Sequence, residues 1–234
     1  PTAVLKAADL LSRGADSDEG LGDLLVVDVG GATTDIHSVG DGLPSAEGVV
    51  YKGLPEPRLK RTVEGDLGIR YNALSILEAV GPEGLGINRK AEEIREAVQR
   101  LARNVETVAR TPEDLELDEA LASAAVRIAI SRHVGHYEPV FMPHGQVLLQ
   151  FGKDCTGFRH VIATGGIFVH HPDPLRILHH TLYSPETPML LKPKAPRFLI
   201  DSLYILYAVG LLERVDAKKA FTIGKRYLRE VAQR

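Results

Sequence analysis

Two periods run through the hydrophobic pattern of the chain. One is the alternation of a strand, the other the three-and-four spacing of a helix. Leu24–Val29 is a nearly unbroken apolar run interrupted only by Asp28, as expected of a strand buried on both faces. Gly30 and Gly31 follow, and they predict a tight reversal through positive φ. Beyond it, Thr34, Ile36 and Ser38 alternate with Thr33, Asp35, His37 and Val39, a pattern suited to a returning strand. Asp41-Gly42 predicts a further turn, leading to a third strand over 48–52. Pro55 and Pro57 make 54–61 a loop or a sheet edge.

Helical spacing governs most of the remainder. Residues 1–13 place Val4, Leu5, Ala7, Ala8, Leu10 and Leu11 on one side, with Gly14 as a stop. A second helix is expected to start near Gly65-Asp66, with Asp66 as its N-cap, and to end at Gly81-Pro82. Residues 88–110 read as an amphipathic helix with a wet charged face. Thr111-Pro112-Glu113-Asp114 is a strong helix start. A longer, more apolar helix is expected from Asp118 through Val134 and should pack inside. Residues 147–158 fit neither period. Residues 159–163 read as a short buried strand running into Thr164-Gly165-Gly166, and Pro172 to Leu178 opens the next helix. The tail reads as two helices: 201–214, buried against a sheet, and 217–233, basic and surface-lying. Tyr204 and Tyr207 are expected in a core or interface rather than in catalysis.

Composition narrows the class. With 234 residues, 44% hydrophobic and 25% charged, the chain can bury one large domain or a domain with a subdomain. A net charge of -3 argues against nucleic acid and anionic membranes as partners. The single cysteine, Cys155, excludes an internal disulfide framework and fits a reducing, cytoplasmic setting. No apolar run has the length of a membrane span. An opening on Pro1 rather than Met is expected of a piece cut from something longer. His133 and His136, His170-His171 and His179-His180 lack the spacing of a zinc site and read as helix-end or surface histidines.

The chemistry concentrates at the two glycine corners. A glycine bend lines up backbone N–H groups and the hydroxyls of Thr33 and Thr34 around a small space, with Asp28 at its mouth. Amides and hydroxyls suit a phosphate, and a carboxylate suits its magnesium, through water. The second corner, Thr164-Gly165-Gly166, is a strand-to-helix turn where backbone approaches a ligand closely.

The string Asp-x-Gly-Gly-x-Thr-x-Asp resembles the second phosphate-binding hairpin of the actin, sugar kinase and Hsp70 ATPase superfamily, and Ala-Thr-Gly-Gly resembles its adenosine motif. Taken with Thr-Val-Glu-Gly-Asp-Leu-Gly-Ile-Arg, Gly-Lys-Asp and Ile-Asp-Ser-Leu-Tyr-Ile-Leu-Tyr-Ala-Val-Gly-Leu-Leu, it resembles the MutL accessory family of coenzyme B12-dependent glutamate mutase and its ornithine aminomutase counterpart. The resemblance covers the C-terminal half of such proteins. The first phosphate loop of the superfamily has no counterpart here, and Cys155 stands where leucine is expected.

The resemblance implies an α/β fold: a ribonuclease H-like, actin-type ATPase lobe over 1–82 and 137–234, with a mixed sheet flanked by helices and a helical subdomain inserted at 83–136. It implies ATP and Mg2+ as cofactors, ATPase activity in the full-length parent and inactivity of this part alone. Asp28 would hold the metal or its water, and Asp35 would orient the catalytic water or the turn. Gly30, Gly31, Thr33 and Thr34 would meet the outer phosphates. Thr164, Gly165 and Gly166 would meet adenosine, and Glu64, Gly65 and Asp66 would lie near the ribose. The implied role is chaperone-like reactivation of a B12-dependent mutase as client, with homo-oligomer formation left open. Two other readings compete: an enzyme of the ATP-dependent hydantoinase or oxoprolinase kind, and a non-catalytic scaffold of the same fold.

Overall fold

A computed structural model describes residues 2–143 and 145–232. In chain order the elements are α1 (Thr2–Arg13), the short pair β1 (Gly14–Ala15) and β2 (Asp18–Glu19), β3 (Leu24–Val29), β4 (Thr34–Val39), β5 (Val49–Lys52), β6 (Leu59–Glu64), α2 (Ala73–Gly84), α3 (Ala91–Arg103), α4 (Pro112–His133), β7 (His136–Met142), β8 (Gly145–Phe151), β9 (His160–Thr164), α5 (Gly166–His170), α6 (Leu175–Leu178), β10 (Arg197–Asp201), α7 (Leu206–Leu212), α8 (Ala217–Tyr227) and β11 (Leu228–Val231). Among the described residues no helix is long and apolar enough to cross a membrane.

The core is a six-stranded mixed sheet in the order β11-β10-β9-β3-β4-β6. The three central strands, β10, β9 and β3, run parallel, while β4, β6 and β11 are antiparallel to their neighbours. Alternation along β3 sends Leu25, Val27 and Val29 into one core, with α2, α3 and α4. Leu24 and Val26 enter the other, with α1, α7 and α8. The charge-rich segment 83–136 is not set apart from this arrangement. Leu121, Ala125 and Ile130 of α4 share the first core with Val27 and Ile36, and Ile94 and Val98 of α3 join the same cluster. A Thr111 capping box opens α4, as its sequence signature predicts, and the helix runs unbroken from Pro112 to His133.

Several expectations are corrected. Residues 49–52 do form a strand, but β5 joins a separate three-stranded sheet with β8 and β7. The third strand of the main sheet is β6, paired to β4 from Val39↔Leu59 to Thr34↔Glu64. Its Leu-Lys-Arg-Thr-Val-Glu sequence, charged at Lys60, Arg61 and Glu64, suits an edge strand. Asp66 caps no helix: α2 begins after Asn72, and the break predicted at Gly81 appears as a kink at φ 71° before a last turn. The 88–110 helix is shorter, ending at Arg103.

Both tail helices form, as α7 and α8, but over shorter spans than expected. Arg197–Asp201 is a strand, and α8 gives way at Leu228 to β11, which pairs with it; Gln233 lies outside the described residues. Nor is α7 buried all round, because Leu203 before it and Tyr207 and Leu211 on it are exposed.

Candidate functional site

Because β3, β9 and β10 are parallel, their carboxyl ends share one edge of the sheet. Asp28 stands opposite Asp35 in the hairpin and opposite Thr164 on β9, and Asp201 ends β10 one strand further on. An edge of this kind is where open α/β sheets admit ligands.

The bend itself is Gly30 to Thr33, closed by a bond from the Gly30 N–H to the Thr33 carbonyl at 2.9 Å. Neither Gly30 nor Gly31 has a positive φ, which corrects the reason given for these glycines from sequence. The segment 68–72 braces the bend from behind. The Ile69 N–H donates to the Gly30 carbonyl (3.2 Å), and the Arg70 and Tyr71 N–H groups both donate to that of Gly31 (2.9 Å each). The Asn72 side-chain amide donates to the carbonyl of Ala32 at 2.7 Å. Gly68 is jammed against Ala32, where an added Cβ would lie 2.2 Å from the carbonyl carbon. With the carbonyls drawn backward, no described backbone carbonyl accepts from the amides of Gly31, Ala32 or Thr33. Successive amides freed in this way form a concavity suited to an anion.

Of the predicted residues only Gly30, Gly31 and Gly166 line the cavity described below. Asp28 faces the α1 side of the sheet, and no described side chain donates to it or pairs with it. Burial, then the neighbouring charge of Asp35, pushes its pKa up to about 6. Asp35 is held: Arg61 lies 3.4 Å from one oxygen and the Thr33 hydroxyl donates to the other at 3.4 Å. Thr34 points the opposite way. It is fully buried and donates its hydroxyl to the Leu67 carbonyl at 2.7 Å, so it braces the bend from within the core.

Glu64 and Asp66 both pair with Arg132 at the far end of α4. With Gly65 they stay outside the cavity described next; the contact with the bend is made a few residues later, by 68–72.

Gly30 and Gly31 line a cavity of about 410 Å³ together with Gly166, Ile167 and Tyr204. Its far wall is Arg70, Asp118 and the backbone of 105–109. Gly165 sits behind, at φ 121°, where an added Cβ would lie 2.3 Å from the Val29 carbonyl oxygen. Thr164 donates its hydroxyl to Asp201 at 2.9 Å, and Asp201 in turn accepts from the Ile205 and Leu206 N–H groups at the start of α7. A larger cavity of about 650 Å³ lies between the end of α2, α4 and residues 176–180, and it touches none of the predicted site residues.

Comparison with known proteins follows the same residues. The family described as MutL protein matches residues 1–228. The chain belongs to the MutL protein family. Protein MutL of Clostridium tetanomorphum is 44% identical over 233 residues, which are 99% of this chain and 50% of that protein. The chain thus spans about half the length of its MutL relative.

Sequence reasoning passed over four contributors. Asp201 was hidden because the tail helix was expected to start there, at 201–214; it instead ends the strand Arg197–Asp201, an acid at a strand end much as Asp28 is on β3. Tyr204 lines the cavity half-exposed, at φ 52°, rather than filling a core. Arg70 and Asp118 lie 48 positions apart, and only the packing of α4 on the hairpin brings them together. Among the described residues no three His, Cys, Asp or Glu side chains converge as a metal site. His133, at the end of α4, is buried between the Thr62 and Ser38 hydroxyls, at 2.9 and 2.8 Å.

Proposed function

We propose that this chain, as a member of the MutL protein family, is the ATP-binding lobe of an actin-type fold. Its outer phosphates would lie on the bend amides and its adenosine in the cavity beside Gly166. One observation supports this most: two glycine corners 135 residues apart in sequence, Gly31 and Gly166, open on the same space. Neither glycine is explained by the protein's own packing. A Cβ at Gly31 would make only ordinary 3.5 Å contact with Arg70, and one at Gly166 would meet nothing. Room left at both corners suits a ligand that approaches the backbone.

The donor set also fits the cofactors. Free amides at 31–33 suit phosphate oxygens, and Asp28 lacks any cationic partner among the described residues. With no cluster of three His, Cys, Asp or Glu side chains among the described residues, a metal at Asp28 would be held mainly by water and phosphate, the habit of magnesium rather than zinc. Bound magnesium would neutralise phosphate charge. The chain's own part is to position: the bend orients the phosphates, and Thr33 and Arg61 fix Asp35. On this reading the full-length protein is an ATPase whose lobe movement reactivates a B12-dependent mutase.

Titration of ATP into the full-length protein, with and without magnesium, tests the site. Binding that needs magnesium and disappears in Asp28→Ala, with folding intact, is the expected result. Normal hydrolysis by that variant overturns the assignment. Turnover stimulated by a B12-dependent mutase, and not by a small amide, separates this function from that of an amide-phosphorylating enzyme.

A further inference from the structure

One residue, Arg70, spans the cavity from floor to roof, with its backbone at one end and its side chain at the other. The Arg70 N–H is bonded to Gly31 in the floor, and its guanidinium forks onto Asp118 of α4 at 2.8 and 2.6 Å. From there Nε donates to the Thr107 carbonyl in the roof at 3.3 Å, and Nη1 donates to the Ile69 carbonyl at 3.1 Å. Arg70 and Asp118 are both largely buried, at 14% and 7% side-chain exposure. The roof, residues 105–109, is otherwise loosely held. Glu106, Thr107 and Val108 are exposed. Among the described residues the Arg70 bond is the one hydrogen bond that joins 105–109 to anything beyond Asn104.

Resting on the nucleotide reading of this cavity, we propose that Arg70 is a positioning residue that holds the 105–109 roof over a ligand seated on the bend. The fork on Asp118 locks the guanidinium plane, which leaves Nε aimed at Thr107. An ammonium in its place could not grip both carboxylate oxygens and still reach the roof. A ligand in the cavity needs its two walls in fixed register, and misplacement of one wall by an ångström is costly. Arg70 is already occupied by Asp118 and the two carbonyls, so it acts on the ligand through the roof rather than by direct contact.

The test uses the full-length protein, MgATP titration and amide hydrogen exchange. Removing one partner would strand a buried charge, so the pair is replaced together, as Arg70→Met with Asp118→Leu. In the parent protein, MgATP is expected to slow exchange both at 31–33 and at 105–109. In the double variant, affinity falls about tenfold, protection at 31–33 persists, and ligand-induced protection at 105–109 is lost. Unchanged affinity with unchanged protection of the roof overturns the inference. Failure of the double variant to fold, or faster exchange throughout its ligand-free form, assigns the pair to the core and overturns it equally. Absence of MgATP binding in the parent protein is a different result, which defeats the nucleotide reading itself.

Discussion

The two glycine corners of this sheet edge look alike in sequence and are built in opposite ways. At Gly165 the chain consumes its own requirements: φ is 121°, the backbone passes against Val29, and the neighbouring Thr164 hydroxyl is bound to Asp201. At Gly30 and Gly31 φ is ordinary, the amides of 31–33 find no described backbone acceptor, and no described side chain forms an ion pair with Asp28. The first corner is finished by the fold. The second leaves the amides of 31–33 without a described backbone acceptor and open to a ligand at the end of a fully formed strand. Substitutions should therefore damage folding at one corner and binding at the other.

The largest expected effect on stability is at the finished corner. Gly165→Ala forces a side chain into a conformation reserved for glycine and into a backbone oxygen, and should cost about 4 kcal/mol or prevent folding. A thermal midpoint within a few degrees of the parent's would break the comparison.

Next comes acid. His37 lies buried on the α1 face, two positions past Asp35, with no partner for either ring nitrogen among the described residues, and burial holds its pKa down at about 3. Only the unfolded chain takes up that proton between pH 6.5 and 3, so stability falls as pH drops through this window. The loss should reach about 2 kcal/mol between pH 7 and pH 5. Asp28 offsets part of this loss over the same range, so the test is the difference: urea midpoints in the parent should fall relative to those of His37→Leu as pH drops from 7 to 5.

The open corner predicts the reverse sign. Asp28 has a raised pKa, so its ionisation penalises the folded state fully above about pH 6 and not at all below its unfolded value near 3.8. Asp28→Asn should therefore stabilise the ligand-free protein by about 1–2 kcal/mol at pH 8 while removing the magnesium dependence of binding. A destabilised variant would mean that Asp28 has a structural partner after all. The smallest change in stability belongs to Gly31→Ala, within about 0.5 kcal/mol of the parent, yet this variant should lose MgATP affinity by more than about tenfold. Titration calorimetry on a variant of unchanged melting temperature is the measurement that sharpens the comparison most.

Legibility from sequence followed burial. The central strands β3, β4 and β9 are apolar or regularly alternating, and both glycine corners were identified from them. The outer strands were missed because charge and context disguise them. Lys60, Arg61 and Glu64 make β6 look like a loop, and Leu228–Val231 continues the amphipathic spacing of α8. At the site, the hairpin's acids and glycines were legible. The orientation of Thr34 was not, since a threonine after a bend reads the same whether its hydroxyl meets a ligand or the Leu67 carbonyl. Likewise Glu64, Gly65 and Asp66 were singled out from the right segment, yet the brace is Gly68 to Asn72. Nothing local distinguishes an acid near a pocket from one paired with Arg132.

Local chemistry, then, was enough to determine where strands turn, which corners contain glycine and which acids stand at strand ends, because these depend on neighbours along the chain. Membership in the MutL family is likewise written in the order of those residues. The tertiary structure alone decided which face each side chain takes. It also decided that two corners 135 residues apart share a cavity, and that Arg70 meets Asp118 and Thr107 across it. Sheet order, strand direction and the packing of α4 are set by contacts between distant segments, and no window of sequence contains both sides of such a contact.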